Sequence, residues 1–265
     1  MTFDWIAFLT DYGHSDGFVA ACHGVIARIA PEARIIDVTH DIPPQDIRRG
    51  AVVLAQTLPY LPPCVVVGVV DPTVGTPRRA IALVAGEYVL IGPDNGLLSW
   101  AADACGGVTR AVEVTFRIGA GAPTFDGRDV FAPAAAQTAV GASLSSLGLD
   151  VAPETIVRLP PPWVSAQPGL VEAEILTIDH FGNVTLAASE DDLSIAGICQ
   201  GDQVRLMIGD RWWRVPVGRT FASVQPGQLV VVVDSAGHVA VAVNQESAAM
   251  TLAVKSGDRA TIAAI

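Results

Sequence analysis

The chain reads as α/β, with an N-terminal, mostly parallel sheet flanked by helices and a smaller C-terminal antiparallel β-barrel-like domain. Three observations predict this. Short strand-like runs alternate with helix-period stripes through the first half, a proline-rich passage follows at 159–169, and closely spaced strand-like runs with turn signals fill the rest. The expected division is 1–160 for the α/β domain, 161–169 for a linker stiffened by its prolines, and 170–265 for the β domain.

In chain order, 5–10 reads as a strand and 16–29 as a helix, with Phe18, Cys22, Val25, Ile26 and Ile29 on one face. Ser15 or Asp16 is its expected cap, and Pro31 lies beyond its end. Residues 34–38 form a short strand, and 46–58 a helix striped by Ile47, Ala51, Leu54, Ala55 and Leu58. The unbroken apolar run 65–70 fits an interior parallel strand covered on both faces. Residues 81–85 and 88–91 read as a hairpin around Gly86-Glu87. Residues 129–140 are helical, with Pro133 tolerable because it falls near the first turn. Beyond the linker, strands are expected at 175–178, 184–186, 203–208, 212–217, 229–233, 239–243 and 259–262. Gly209-Asp210 and Ser235-Ala236-Gly237 serve as hairpin turns, and such spacing suits a small barrel.

Composition narrows the function classes. A net charge of −11 argues against a nucleic-acid partner, because phosphate binding needs clustered Lys and Arg. No apolar stretch reaches the ~20 residues of a membrane span, and the N-terminus carries no basic stretch before its apolar run, so a cytoplasmic protein is expected. Cys22, Cys64, Cys105 and Cys199 show no C-x-x-C pairing and read as thiols in a reducing compartment. The five histidines lack metal-ligand spacing, and neither a Walker nor a G-x-G-x-x-G sequence occurs. No metal and no cofactor are therefore expected.

Asp11 and Asp71 both fall at the carboxyl ends of expected strands, where open parallel sheets place their ligands. Either one alone reads equally as a turn or cap residue; two on separate strands, each followed by a glycine-containing turn, favour a site. A second charged turn, Thr124-Phe125-Asp126-Gly127-Arg128-Asp129, opens an alanine-rich helix. Either Asp126 or Asp129 caps that helix while Arg128 pairs with a neighbouring carboxylate, or Asp126 faces the same pocket as Asp71.

With Thr10-Asp11-Tyr12-Gly13, Asp71-Pro72-Thr73-Val74-Gly75-Thr76-Pro77-Arg78-Arg79, Pro93-Asp94-Asn95-Gly96-Leu97-Leu98 and Asp179-His180-Phe181-Gly182-Asn183, this turn completes a set of motifs. In order, spacing and residue type the set resembles the SAM hydroxide adenosyltransferases over nearly the whole chain. These are adenosine-forming SAM hydrolases related to the fluorinases and chlorinases. Two departures stand out: Asp126 occupies the family's usual histidine position, and Thr73 a usual glycine position.

The resemblance implies hydrolysis of S-adenosyl-L-methionine to adenosine and L-methionine, with SAM as substrate and no cofactor. It implies that Asp71 and Arg78 position or activate water, with Asp126 beside them. It further implies Asp11 on the ribose diol, Asp16 on the methionine ammonium and Asp179 as another amine contact. Phe181, Asn183 and Phe221 would meet adenine, Ser235 the methionine carboxylate, and Asn95 would belong to the substrate site. Gln45 stands where the fluorinases have a tryptophan over the ribose. A homotrimer is implied too, each site lying between the N-terminal domain of one subunit and the C-terminal domain of another.

Attack at C5′ expels methionine as a neutral thioether, so no general acid is needed and alignment of the nucleophile dominates. Asp71 and Asp126 as unscreened like charges at ~4 Å would cost about 4 kcal/mol at an effective dielectric of 20. That disfavours a halide and suits a water held by an acceptor. On this expectation Asp126 either substitutes weakly for the histidine or shares a proton with Asp71, one pKa of the pair being pushed upward. The other readings are a non-catalytic SAM- or adenosine-binding protein, in which Asp126 has abolished the chemistry, and a SAM-dependent halogenase.

Overall fold

The computed structural model describes residues 2–119 and 124–265. The chain divides into two compact units, Met1–Leu159 and Pro160–Ile265.

The first unit contains β1 (Trp5–Thr10), α1 (Phe18–Ile29), β2 (Arg34–Thr39), α2 (Ile47–Thr57), β3 (Val65–Val69), β4 (Ala80–Ala85), β5 (Tyr88–Pro93), α3 (Ser99–Ala104), β6 (Val108–Val114), α4 (Ala132–Ala139) and β7 (Gly148–Val151). Its sheet runs β2-β1-β3-β5-β4-β6-β7. Pairing is parallel from β2 through β5 and antiparallel at β4, β6 and β7. Side chains alternate across the pleat. Ile6, Phe8, Val65, Val67 and Ile91 join a core with Cys22 and Ile26 of α1 and the small alanines of α4. Ala7, Leu9, Val66 and Leu90 join another with Leu54 of α2 and Ala101 and Ala102 of α3. Both faces are covered, which is why the central strands are apolar without interruption.

Register sets up the site. Thr10 of β1 pairs with Val69 of β3, so Asp11 and Asp71 leave neighbouring parallel strands within one residue of the same level. Local starts differ in part from expectation. Gly17, not Ser15 or Asp16, occupies the N-cap of α1, with no side-chain cap. Asp46 caps α2, accepting from Arg49 N at 2.9 Å. The helix expected at 129–140 begins earlier, as a wide π-type turn over Gly127–Phe131 that runs into α4.

The second unit contains β8 (Val164–Gln167), β9 (Leu170–Ile178), β10 (Val184–Ser189), α5 (Glu190–Ile195), β11 (Gln203–Ile208), β12 (Arg211–Pro216), β13 (Leu229–Val233), β14 (His238–Val243), α6 (Ala248–Leu252) and β15 (Arg259–Ala264). The sheet order is β12-β11-β15-β9-β10-β14-β13, antiparallel throughout, around Val171, Ile175, Leu186, Val204, Leu206, Val241 and Ile262. A bridge from Val217, just past β12, to Val231 of β13 brings the two ends of the sheet together, giving a near-barrel. Residues 161–169 are not all linker: β8 lies within them and pairs antiparallel with β9. Among the described residues no helix is long and apolar enough to cross a membrane. All four cysteines are free thiols, Cys22 and Cys64 buried and Cys199 exposed.

Candidate active site

A cavity of about 160 Å³ in the first unit is walled by Asp11, Tyr12, Phe18, Asp71, Phe125 and Asp126. Tyr12, Phe18 and Phe125 form an aromatic triangle with centroid separations of 6.0, 5.8 and 5.3 Å, in tilted and edge-to-face arrangements. The volume suits a sugar-sized fragment plus water, being well under the ~300 Å³ at which sites for whole drug-sized ligands begin.

One guanidinium ties the carboxylates together. Arg78 donates from Nε to Asp71 Oδ2 at 2.9 Å, and its Nη2 donates to the same oxygen and to Asp126 Oδ2, the latter at 2.6 Å. Arg117 Nη2 donates to Asp126 Oδ1. The Asp71, Asp126 and Arg78 side chains are only 5, 9 and 10% exposed. Burial by itself would lower the pKa of Arg78, but hydrogen bonds and charge from Asp71 and Asp126 outweigh it and hold that pKa above its ordinary value.

The two carboxylates do not face each other unscreened: Arg78 lies between them and Arg117 adds a second cation, so two carboxylates meet two guanidiniums. Asp126 anchors Arg78, with both its oxygens engaged by guanidiniums. It sits at the N-cap position of the π-type turn but makes no capping bond, so its cap reading fails, whereas Arg128 does pair with a neighbouring carboxylate, Asp129. Thr73 fits its loop without strain, because the left-handed residue there is Gly75 (φ 81°). Its hydroxyl donates to Asp71 Oδ1 at 3.1 Å.

Two wall residues, Tyr12 and Gly127, act together. A Cβ built at Gly127 would lie 2.1 Å from Tyr12 Oη, so the glycine makes room for the phenol. Burial first, then negative charge from neighbours including Asp11, Asp71 and Asp126, raises the Tyr12 pKa well above its ordinary value. Tyr12 is therefore a neutral phenol at the cavity wall. Asp11 Oδ2 accepts from Gln45 N at 2.9 Å, with Gln45 itself left-handed at φ 68°. Sequence reasoning assigned no role to Tyr12 or Arg117. Tyr12 had a signal, since it follows the strand-end carboxylate directly; Arg117 had none.

A second concavity, about 560 Å³, lies in the second unit and is lined by Phe181, Asn183, Phe221, Asn244, Glu246 and Ser247 among others. Phe181 is 75% and Phe221 47% exposed. The turn that presents Phe181 requires glycine at 182, where φ is +83° and a Cβ would meet Ser247 Oγ at 2.1 Å. The expectations for Phe181, Asn183 and Phe221 thus converge on one surface, to which Asn244, Glu246 and Ser247 are additions.

Five expected residues lie off the walls of both concavities: Arg78 is bonded to two of the wall carboxylates, and the other four tie turns or lie exposed. Asp179 organises the turn: Oδ1 accepts from Phe181 N at 2.9 Å and Asn183 N at 2.8 Å, and Oδ2 from Asn183 Nδ2 at 2.8 Å. Asn95 ties its loop to the end of β3, donating to Val70 O at 2.8 Å and accepting from Leu97 N at 3.1 Å. Asp16 is exposed ahead of α1, and Ser235 is exposed in the β13–β14 turn.

Residues 6–148 match the SAM hydroxide adenosyltransferase N-terminal domain, and residues 173–261 match the C-terminal domain of the same family. The chain is 56% identical over 263 residues to an (R)-S-adenosyl-L-methionine hydrolase of Salinispora tropica, covering 98% of each chain. It is 31% identical over 288 residues to a fluorinase of an Actinoplanes species, covering 97% of this chain and 96% of that one. Among solved structures, an uncharacterized conserved protein from Thermotoga maritima superposes with a TM-score of 0.92 at 34% identity, covering 97% of this chain and 99% of that one.

Proposed function

The chain belongs to the SAM hydroxide adenosyltransferase family, and from that premise we propose that it hydrolyses S-adenosyl-L-methionine to adenosine and L-methionine. The name of the Salinispora relative specifies the (R) sulfonium epimer, and the same epimer is the proposed substrate here. The observation that carries the reading is the juxtaposition of Asp11 and Asp71 on the wall of one cavity, with Asp71 held by Arg78. A ribose whose diol is bound by Asp11 presents its C5′ carbon within a few ångströms of an acceptor built to hold water.

In this mechanism water attacks C5′, the C5′–S bond breaks, and its electron pair returns to sulfur as the neutral thioether of methionine. Asp71 accepts a hydrogen bond from the water and then its proton, directly or through solvent. Arg78 fixes the rotamer of Asp71, and Asp126 with Arg117 fixes Arg78. Tyr12, a neutral donor, holds the nucleophile's oxygen or the ribose edge. The aromatic triangle excludes bulk water, which strengthens each of these contacts. Phe181 and Phe221 stack on or flank adenine, with Asn183 reading its edge. No cofactor takes part.

The family's homotrimer, with each site shared by two subunits, and a cytoplasmic location complete the proposal. The mixed charges around Asp126 support hydrolysis over a non-catalytic binder: Asp126 takes up a structural place beside Arg78 and leaves Asp71 on the wall.

The test is incubation of the purified protein with the separated (R) and (S) epimers of SAM, followed by chromatography. Adenosine and methionine in equal amounts, formed faster from (R), is the expected result. Intact SAM after long incubation at high enzyme concentration would remove the reading.

A further inference from the structure

A group of side chains outside the mechanism converges on the far side of Thr10. His23 lies on α1, Asp37 on β2 and His40 just past the end of β2. Asp37 Oδ1 is 3.0 Å from His23 Nε2 and 3.0 Å from His40 Nε2, and the three atoms all lie within 4.8 Å of one another. Ligand atoms around a tetrahedral zinc with bonds near 2.0–2.1 Å stand about 3.3 Å apart. Small side-chain rotations would therefore admit a cation in place of the shared hydrogen bonds.

Three further features fit that role. His40 Nδ1 lies 2.8 Å from Thr10 Oγ1, the kind of outer contact that fixes tautomer and ring plane in metal-binding histidines. The rings of His23 and His40 stand against Phe8, at 5.8 and 5.0 Å, so the inner side is apolar. The outer side is open, with His23 30% and Asp37 42% exposed while His40 is fully buried. Solvent can thus supply the remaining ligand. Local spacing in the sequence hides the group, because a helix and a strand end from different parts of the unit bring it together.

We propose that His23, Asp37 and His40 form a binding site for a divalent transition cation of the zinc type, completed by water. Two imidazoles and one carboxylate suit zinc, cobalt or nickel over magnesium or calcium, which prefer all-oxygen shells. The cation would clamp α1 to β2. Through Thr10, and through the Gly13 N to His40 O bond of 2.8 Å, it would also stiffen the turn that carries Asp11. It would stabilise the fold and stand apart from the reacting atoms.

The experiment uses the full chain without a histidine tag, stripped with chelator, and titrated with cobalt chloride by visible absorption and with zinc chloride by calorimetry. The expected result is one equivalent of cobalt with a ligand-field band, displaced by zinc, and a thermal midpoint raised by zinc but not by magnesium. His23→Ala and Asp37→Asn, both at partly exposed positions, should each weaken zinc binding at least tenfold. Cys199→Ser should leave it unchanged, since the exposed thiol is the obvious competing ligand. Absence of saturable binding would overturn the proposal. So would binding that survives both substitutions in variants whose circular dichroism matches the parent.

Discussion

The two concavities are built on opposite principles. The one at the ends of β1 and β3 is small, and its Asp71 and Asp126 are nearly buried and tied to one guanidinium. The one beside the 179–183 turn is larger, and offers two phenylalanines to solvent. Immobile charge is what a reaction coordinate needs, because the cost of orienting it is met during folding. Exposed rings suit recognition of a flat base, because their apolar area is covered only when the ligand arrives. In a SAM hydrolase the first would set turnover and the second affinity.

The largest expected effect tests the first half of that contrast. Asp71→Asn keeps the size of the side chain but removes the acceptor for the water proton, so kcat should fall by roughly 10²–10⁴-fold with KM little changed. Steady-state kinetics on SAM would check this, and an unaltered kcat would break the division of labour.

Phe181→Ala tests the other half. Loss of one ring from a base is worth ~1–3 kcal/mol, so KM should rise about 5- to 150-fold while kcat holds. A fall confined to kcat would show that the aromatic surface takes part in the chemical step. Tyr12→Phe should cost less, about 2- to 12-fold in kcat/KM, as expected for a single neutral hydrogen bond of ~0.5–1.5 kcal/mol. An unchanged value would leave the phenol a packing role only.

Alkaline stability separates the two units. Burial pushes the thiols of Cys22 and Cys64 from 9.0 up to about 12. Between those values the unfolded chain has lost thiol protons that the folded chain keeps, so stability is intact below pH 9 and declines toward pH 12. Both thiols belong to the first unit, whereas Cys199 of the second is exposed. A thiol reagent at pH 8 should therefore modify Cys199 at once, and Cys22 and Cys64 only as the first unit opens. Prompt reaction of Cys22 would contradict the burial argument.

What could be read in advance followed from periodicity. The apolar run of β1 and the β-branched run of β3 announced strands, and Asp11 and Asp71 at their ends followed from that. β7 was missed because a four-residue edge strand with half its side chains in water carries almost no pattern. β8 was missed because it hides between prolines and alternates small and polar residues. Partner choice was less legible than position. Nothing in the spacing says that Arg78 turns to Asp71 and Asp126 while its neighbour Arg79 turns to Asp94 and Thr155. Asn95 and Asp179 show the same limit: a polar side chain that ties its own turn looks, in one dimension, like one reserved for a ligand.

The tight seat of Tyr12 Oη over Gly127 constrains how this cavity can evolve. A side chain cannot grow at 127 while the phenol is in place, whereas shrinking residue 12 first leaves only a gap that water can fill. Changing residue 12 before residue 127 therefore avoids a clash that the reverse order meets unless the phenol swings aside.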